Sequence, residues 1–234
     1  MHERISNVDW GKVTEEMHEQ GYAVVSKLLS EEDCEGLINN YDNQQCYRKT
    51  ITMERYRFGI GEYKYFSYPL PKLLQTIRED VYPKLVPIAN KWMKSLRMEA
   101  RFPLGFAQLQ KACHSNNQTK PTVLILKYEK GGHNTLHQDL FGDIFFPIQA
   151  VMFLNEPGKD YTGGEFVLTQ QTPRAQSKAT VLRPGKGDML LFTTNFRPVK
   201  GKKGYYKVSM KHGVSELHSG ERHALGIIFH DALN

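Results

Sequence analysis

The segment Thr135-Leu136-His137-Gln138-Asp139 sets an imidazole and a carboxylate two residues apart. In an extended chain that spacing turns both side chains to one face. One nitrogen and one hard oxygen suit ferrous iron when a second imidazole completes a facial triad and leaves the remaining positions open. His212, within Met210-Lys211-His212-Gly213-Val214, is the candidate for that imidazole. His133, His218, His223 and His230 also occur, but none has a carboxylate two residues on in similar surroundings. Ten residues beyond His212 stands Arg222, in Gly220-Glu221-Arg222-His223-Ala224.

Together these residues carry a resemblance. The run from Leu124 through Tyr128 to His137-Gln138-Asp139 is similar to the metal-binding segment of AlkB-like nucleic-acid repair oxygenases, within the Fe(II)- and 2-oxoglutarate-dependent dioxygenases. From about Phe102 to the end the chain resembles the bacterial branch of that superfamily named for action on nucleic acid. The matching segments are His137-Gln-Asp-Leu-Phe-Gly-Asp143, Gly163-Gly-Glu-Phe-Val-Leu-Thr169, Lys211-His-Gly-Val-Ser215 and Leu225-Gly-Ile-Ile-Phe-His-Asp231. The resemblance implies a double-stranded β-helix (jelly-roll) core and an α+β fold. It implies iron on His137, Asp139 and His212, with 2-oxoglutarate and molecular oxygen as co-substrates and ascorbate as a stimulant. Oxidative demethylation of alkylated bases in DNA repair is the activity implied. Two departures bear on substrate. Leu126 stands where AlkB enzymes carry asparagine, and the single Arg222 ten residues after the distal histidine matches prolyl-hydroxylase-like enzymes, as does Gly163-Gly164-Glu165. Hydroxylation of a protein side chain, or a non-catalytic β-helix binding module, are therefore the rival readings.

Downstream of Thr122, short apolar runs separated by glycine-rich turns predict strands over 122–128, 147–154, 164–170, 179–183, 188–193, 205–217 and 222–229. In the last, Arg222, Ala224, Gly226 and Ile228 alternate onto one face. If the strands at 205–217 and 222–229 form a hairpin with His212 opposite Ala224 or Gly226, Arg222 lies roughly 7–14 Å from the ligand. A planar guanidinium there can hold the far carboxylate of 2-oxoglutarate bidentately. Small residues at 224 and 226 leave room for it. Tyr128, as in AlkB-like enzymes, is placed to donate its hydroxyl to the same carboxylate.

Upstream, residues 1–100 read as helical support for a catalytic core at 101–234, all within one oxygenase domain. A short helix over 8–19 ends before Gly21, Tyr22–Val25 is a strand, and Ser30-Glu-Glu-Asp33 resembles a capping box opening the next helix. Residues 72–98 give a long amphipathic helix, or two broken near Pro83 and Pro87. Between them, 47–71 is rich in aromatic and basic groups, Tyr63 and Phe66 included. It reads either as a substrate flap, whose rings stack on unpaired bases, or as an edge hairpin whose rings pack on the core and whose charges are merely solvated.

A second basic stretch, Arg197, Lys200, Lys202 and Lys203, forms a loop leading into the strand of His212. It suits a phosphate backbone, or is simply a solvated loop. The whole chain of 234 residues carries Lys+Arg 31 against Asp+Glu 25, a formal charge of +6, with a pI near 9.1. That balance permits a polyanionic partner without requiring one. Cys34, Cys46 and Cys113 are odd in number and unpaired in spacing, so they read as reduced thiols of a cytoplasmic protein. No apolar run approaches the length of a membrane span, and no obligate protein partner is evident.

Overall fold

Periodicity builds three layers here: helices, a seven-stranded sheet, and a second sheet that faces it. The computed structural model describes residues 1–233. The helices are α1 (His2–Ser6), α2 (Trp10–Gln20), α3 (Glu31–Asn39), α4 (Lys72–Ser95) and α5 (Phe106–Ser115). The large sheet contains β1 (Tyr22–Val25), β2 (Tyr47–Thr52), β4 (Glu62–Phe66), β5 (Leu124–Tyr128), β7 (Ile148–Phe153), β11 (Met189–Thr193) and β15 (Arg222–Ile228). Its order is β1-β11-β7-β15-β5-β4-β2, antiparallel throughout. The opposing sheet contains β3 (Gly59–Ile60), β6 (His133–His137), β9 (Phe166–Gln171), β10 (Ser177–Leu182), β12 (Phe196–Gly201) and β13 (Gly204–Val214). It runs β10-β9-β13-β6-β3, with β12 also paired to β13. A short pair, β8 (Tyr161–Gly163) with β14 (Leu217–Gly220), closes one end. This is the α+β jelly-roll sandwich expected.

Alternation assigns each strand two jobs. In β7, Ile148, Ala150 and Met152 enter the core beneath the helices, while Val151 and Phe153 point between the sheets. Met189 and Leu191 of β11 likewise face the helices, and Leu190 and Phe192 face the sandwich. Each of the larger of these side chains contributes about 1.5–3 kcal/mol when removed from water, so a one-residue slip would forfeit both layers at once.

The helical layer follows its local signals. Asp9 caps α2 by accepting from the Lys12 amide at 3.0 Å, and the helix stops at Gly21, φ +81°. At α3 the capping box is complete: Ser30 Oγ accepts from the Asp33 amide and Asp33 accepts from the Ser30 amide. Ser30→Ala should therefore cost about 1 kcal/mol and lower the melting midpoint by roughly 2–4 °C in a chain of this size. A midpoint that does not move would show that packing alone starts α3. α4 continues through both Pro83 and Pro87 as one helix, burying Leu74, Ile77, Val81, Leu85, Ile88 and Trp92. α1 and α5 carry too few periodic residues to be anticipated.

Three sequence expectations need correction. β13 and β15 do not form a hairpin, for they lie in opposite sheets, and β15 pairs with β5 and β7. The stretch 197–203 is a turn only at Lys202 and Lys203: β12 and β13 make a regular hairpin, Val199 facing Tyr206 and Lys200 facing Tyr205. Pro198 is tolerated because β12 pairs with β13 alone. Residues 47–66 form an edge hairpin of β2 and β4, yet its charges are not all solvated: Lys64 is buried, with its ammonium 3.9 Å from the centre of the Tyr41 ring. The three cysteines are free, Cys34 and Cys113 buried. Among the described residues no helix is long and apolar enough to cross a membrane.

Candidate metal centre

β6 and β13 run side by side so that His137 and His212 are direct cross-strand partners. Their ring centres lie 4.2 Å apart. Asp139, two residues past His137, returns to the same side. Its carboxylate oxygens stand 3.7 Å from His137 Nε2 and 3.2 Å from His212 Nε2. One donor atom from each residue falls within 4.8 Å of the others, so the three could hold a metal ion. The same-face argument for His-x-Asp and the choice of His212 thus lead to one cluster.

Neighbours fix each candidate ligand. The carbonyl of Thr135 lies 2.7 Å from His137 Nδ1 and accepts its proton, which leaves the Nε2 lone pair free toward the cluster. Burial and the neighbouring His212 lower the pKa of His137 and favour the neutral, metal-competent ring. His212 is stacked on Phe166, centres 5.9 Å apart at 14°, with Phe192 edge-on at 4.8 Å. Burial acts to raise the Asp139 carboxyl, but His212, His137 and the Gln149 amide outweigh it and hold the carboxyl well below the usual range. Gln149 is buried on β7, its Nε2 3.5 Å from His212 Nε2. Nothing in its sequence surroundings marked it. Gln138, between His137 and Asp139, donates through Nε2 to the carbonyls of Asn195 at 2.8 Å and Met210 at 2.7 Å, tying this segment to the β12–β13 hairpin.

The cluster opens into a cavity of about 240 Å³ between the sheets. Arg222, Ala224 and Gly226 line it from β15, and Leu124, Leu126 and Tyr128 from β5. The face predicted from alternation is thus correct although its strand partner was not: Arg222 reaches the cavity from the opposite sheet. The guanidinium is 1% exposed and lies among aromatic rings, 5.5 Å from the centre of Tyr128, 5.3 Å from Phe153 and 6.0 Å from Tyr161. Among the described residues its Nε and Nη2 have no hydrogen-bond partner. An arginine cannot shed its charge, and burying it without an anion is costly. Such a site calls for a carboxylate or phosphate.

Tyr128 is fully buried opposite Arg222 in the ladder. Burial, opposed by Arg222, pushes its phenol up to about 12, so it is a hydrogen-bond donor. An asparagine does reach that hydroxyl: Asn134 Nδ2 lies 3.3 Å away, from β6 rather than from position 126. Gly164 permits the close packing behind Arg222. At φ +63°, a Cβ there would come within 2.1 Å of Leu217 and 3.1 Å of Arg222 Cδ.

The substrate candidates divide. Tyr63 lines the cavity together with Tyr65, Phe58 and Leu140. Phe66 does not: it is 3% exposed, on the opposite face of β4, within the helical core. Arg197 does not face solvent either. It is 7% exposed and donates to Gln170 Oε1 at 2.8 and 3.1 Å, bracing β12 against β9. Lys200, Lys202 and Lys203 are exposed around the hairpin tip.

Comparison with known proteins agrees with this architecture. Residues 61–232 match the family Oxygenase-NA, described as "Oxygenase, catalysing oxidative methylation of damaged DNA". Two proteins of Mycobacterium tuberculosis, both called uncharacterized, are each 44% identical over 190 residues, covering 79% of this chain and 81% of theirs. A Pseudomonas putida prolyl-4-hydroxylase shares the fold at a TM-score of 0.56 and 14% identity, over 93% of this chain and 96% of that one. A Burkholderia pseudomallei oxidoreductase of the 2OG-Fe(II) oxygenase family gives 0.54 at 12% identity, over 97% and 94%. At such identities the likeness is one of fold, the double-stranded β-helix.

Proposed function

Because the chain belongs to the Oxygenase-NA family, we propose that it is an Fe(II)- and 2-oxoglutarate-dependent dioxygenase that oxidises alkylated bases of nucleic acid. One observation carries the cofactor assignment: a buried guanidinium lacking an anion shares its cavity with three metal-competent side chains. The donor set of two imidazoles and a carboxylate fits ferrous iron and leaves positions open for other ligands. When bound, iron and 2-oxoglutarate supply the oxidising chemistry, the keto acid losing carbon dioxide to become succinate as dioxygen is reduced.

The protein's own residues bind, orient and exclude water. His137, Asp139 and His212 would hold the metal. Arg222 would take the distal carboxylate of 2-oxoglutarate through its Nε and Nη2 N–H groups, with Tyr128 as a further donor. Ala224 and Gly226 leave the volume between. Phe166 and Phe192 keep the His212 side dry and fix its ring, which matters because the oxidant must meet substrate before solvent. A hydroxylated N-methyl group then leaves as formaldehyde.

The test is to supply iron-loaded protein with 2-oxoglutarate and a methylated oligonucleotide, measuring succinate and formaldehyde together. Succinate that rises with a proline-containing peptide and not with any oligonucleotide would replace this reading by side-chain hydroxylation.

The basic hairpin offers a second check. Its tip lies roughly 26 Å along β13 from His212, at about 3.3 Å per residue, so its lysines would meet backbone well away from the reacting base. Replacing Lys200, Lys202 and Lys203 together by Ala should flatten the log–log salt dependence of oligonucleotide binding by about 0.7–0.9 for each phosphate that the hairpin no longer neutralises. An unchanged slope would remove the hairpin from the interface.

A further inference from the structure

The rim of the cavity carries a feature that neither the metal nor 2-oxoglutarate uses. Residues 53–58 form a tight turn, Met53–Tyr56 being a 3₁₀ helix, whose sequence Arg55-Tyr56-Arg57-Phe58 alternates cations with aromatic rings. Tyr56 and Phe58 lie parallel, centres 5.5 Å apart at 19°. They are 53% and 45% exposed. Phe58 also lines the metal cavity, so this pair stands at its mouth.

The rings are exposed on a base that is firmly held. Met53 is fully buried with Tyr128, Tyr161 and Leu217. Its amide donates to Gly61 O at 2.9 Å, and the Phe58 amide donates back to Met53 O at 3.1 Å. The Phe58 carbonyl accepts from the Thr135 amide at 2.8 Å and from Thr135 Oγ1 at 2.9 Å. Gly59, φ +138°, brings the backbone so close to β6 that a Cβ would meet His133 O at 2.1 Å. Two rings fixed in parallel and left in water mark a binding surface rather than unfinished packing.

We infer that Tyr56 and Phe58 are a stacking platform for an unpaired base that flanks the one entering the cavity, so that the substrate is single-stranded or locally unpaired nucleic acid. The inference rests on the nucleic-acid reading above. Charge favours this occupant: Arg55 and Arg57 are exposed beside the two rings, against the single acid Glu54, and can hold the phosphates on either side of a stacked base. Geometry favours it too. Two parallel rings extend a stack, and every base offers a π-face whatever its identity. In an intact duplex those faces are covered by neighbouring pairs, so only an unpaired nucleotide presents one.

The experiment uses full-length protein, anaerobic with iron and 2-oxoglutarate, and a single-stranded oligonucleotide holding one N-methylated adenine beside 2-aminopurine. Wild type is expected to bind the strand more tightly than its duplex and to quench the 2-aminopurine by stacking. Tyr56→Ala and Phe58→Ala should each weaken binding about tenfold and lose the quenching, with the salt slope unchanged because stacking releases no counterions. Tyr56→Trp should restore both. Circular dichroism and the melting midpoint verify that the variants fold. Alanine variants that bind and quench like wild type, or a duplex bound as tightly as the strand, would overturn the platform and leave the proposed function standing. Failure of wild type to bind any strand at low salt would instead overturn the nucleic-acid reading, and the platform with it.

Discussion

Asp139→Ala and His212→Ala are expected to reduce succinate formation to background while the protein stays folded. Among the described residues each supplies one of three donors in the cluster, and none of the others there compensates for its loss. Partners that merely orient a ligand are worth about 10–100-fold in metal affinity, and a direct ligand should exceed that range. Gln149→Leu provides the internal scale. Its amide sits beside Asp139 and His212 without being a donor of the triad, so it should fall within about 10–100-fold. Titration with Mn(II), read by its own signal, separates lost metal from lost chemistry. His212→Ala should also lower the melting midpoint, since its ring packs on Phe166 and Phe192 of the sandwich core and its loss leaves the Asp139 carboxylate without that partner, so circular dichroism accompanies each activity measurement. Succinate at the wild-type rate from either alanine variant at saturating iron would sink the metal assignment.

How much of this was legible in sequence depended on whether the signal was local. The His-x-Asp spacing, the capping box at Ser30 and the alternation of β15 each act within a few residues, and each has its counterpart in the structure. Strand pairing is not local. The assumption that 205–217 and 222–229 form a hairpin followed from their proximity along the chain, but β14 lies between them and pairs with β8, and β15 enters the other sheet. Phe66 and Arg197 failed for a related reason. Aromatic and basic composition marks candidates for a ligand, but only the pleat decides which face a residue takes. Phe66 fell one position out of step with Tyr63 and Tyr65, and Arg197 fell beside Gln170. Gln149 was hidden because a lone polar residue in an apolar strand reads as tolerance rather than function. Tyr56 and Phe58 were visible as aromatics in a basic stretch, yet their parallel arrangement depends on Met53 being anchored from far along the chain.

Arg222→Ala should weaken 2-oxoglutarate binding by about ten- to a hundredfold while leaving metal affinity nearly unchanged. The expected loss is that of a charge-assisted hydrogen bond, about 1.5–3 kcal/mol, and the fork geometry predicts that Arg222→Lys restores only part of it. The sign of the stability change is a sharper test. With no 2-oxoglutarate present, two of the guanidinium nitrogens are buried and unpaired, a state that costs free energy rather than supplying it. Arg222→Met, which keeps the apolar packing against Tyr128, Phe153 and Tyr161, should thus leave the ligand-free melting midpoint unchanged or raise it. The same variant should lose the shift that 2-oxoglutarate gives wild type. At a hundred times the dissociation constant a ligand stabilises the native state by about 2.7 kcal/mol, and a hundredfold weaker affinity cuts this to about 0.4 kcal/mol. A purely structural arginine behaves in the opposite way, since its removal would lower the ligand-free midpoint and leave the ligand-induced shift intact. That outcome would assign the carboxylate to another cation.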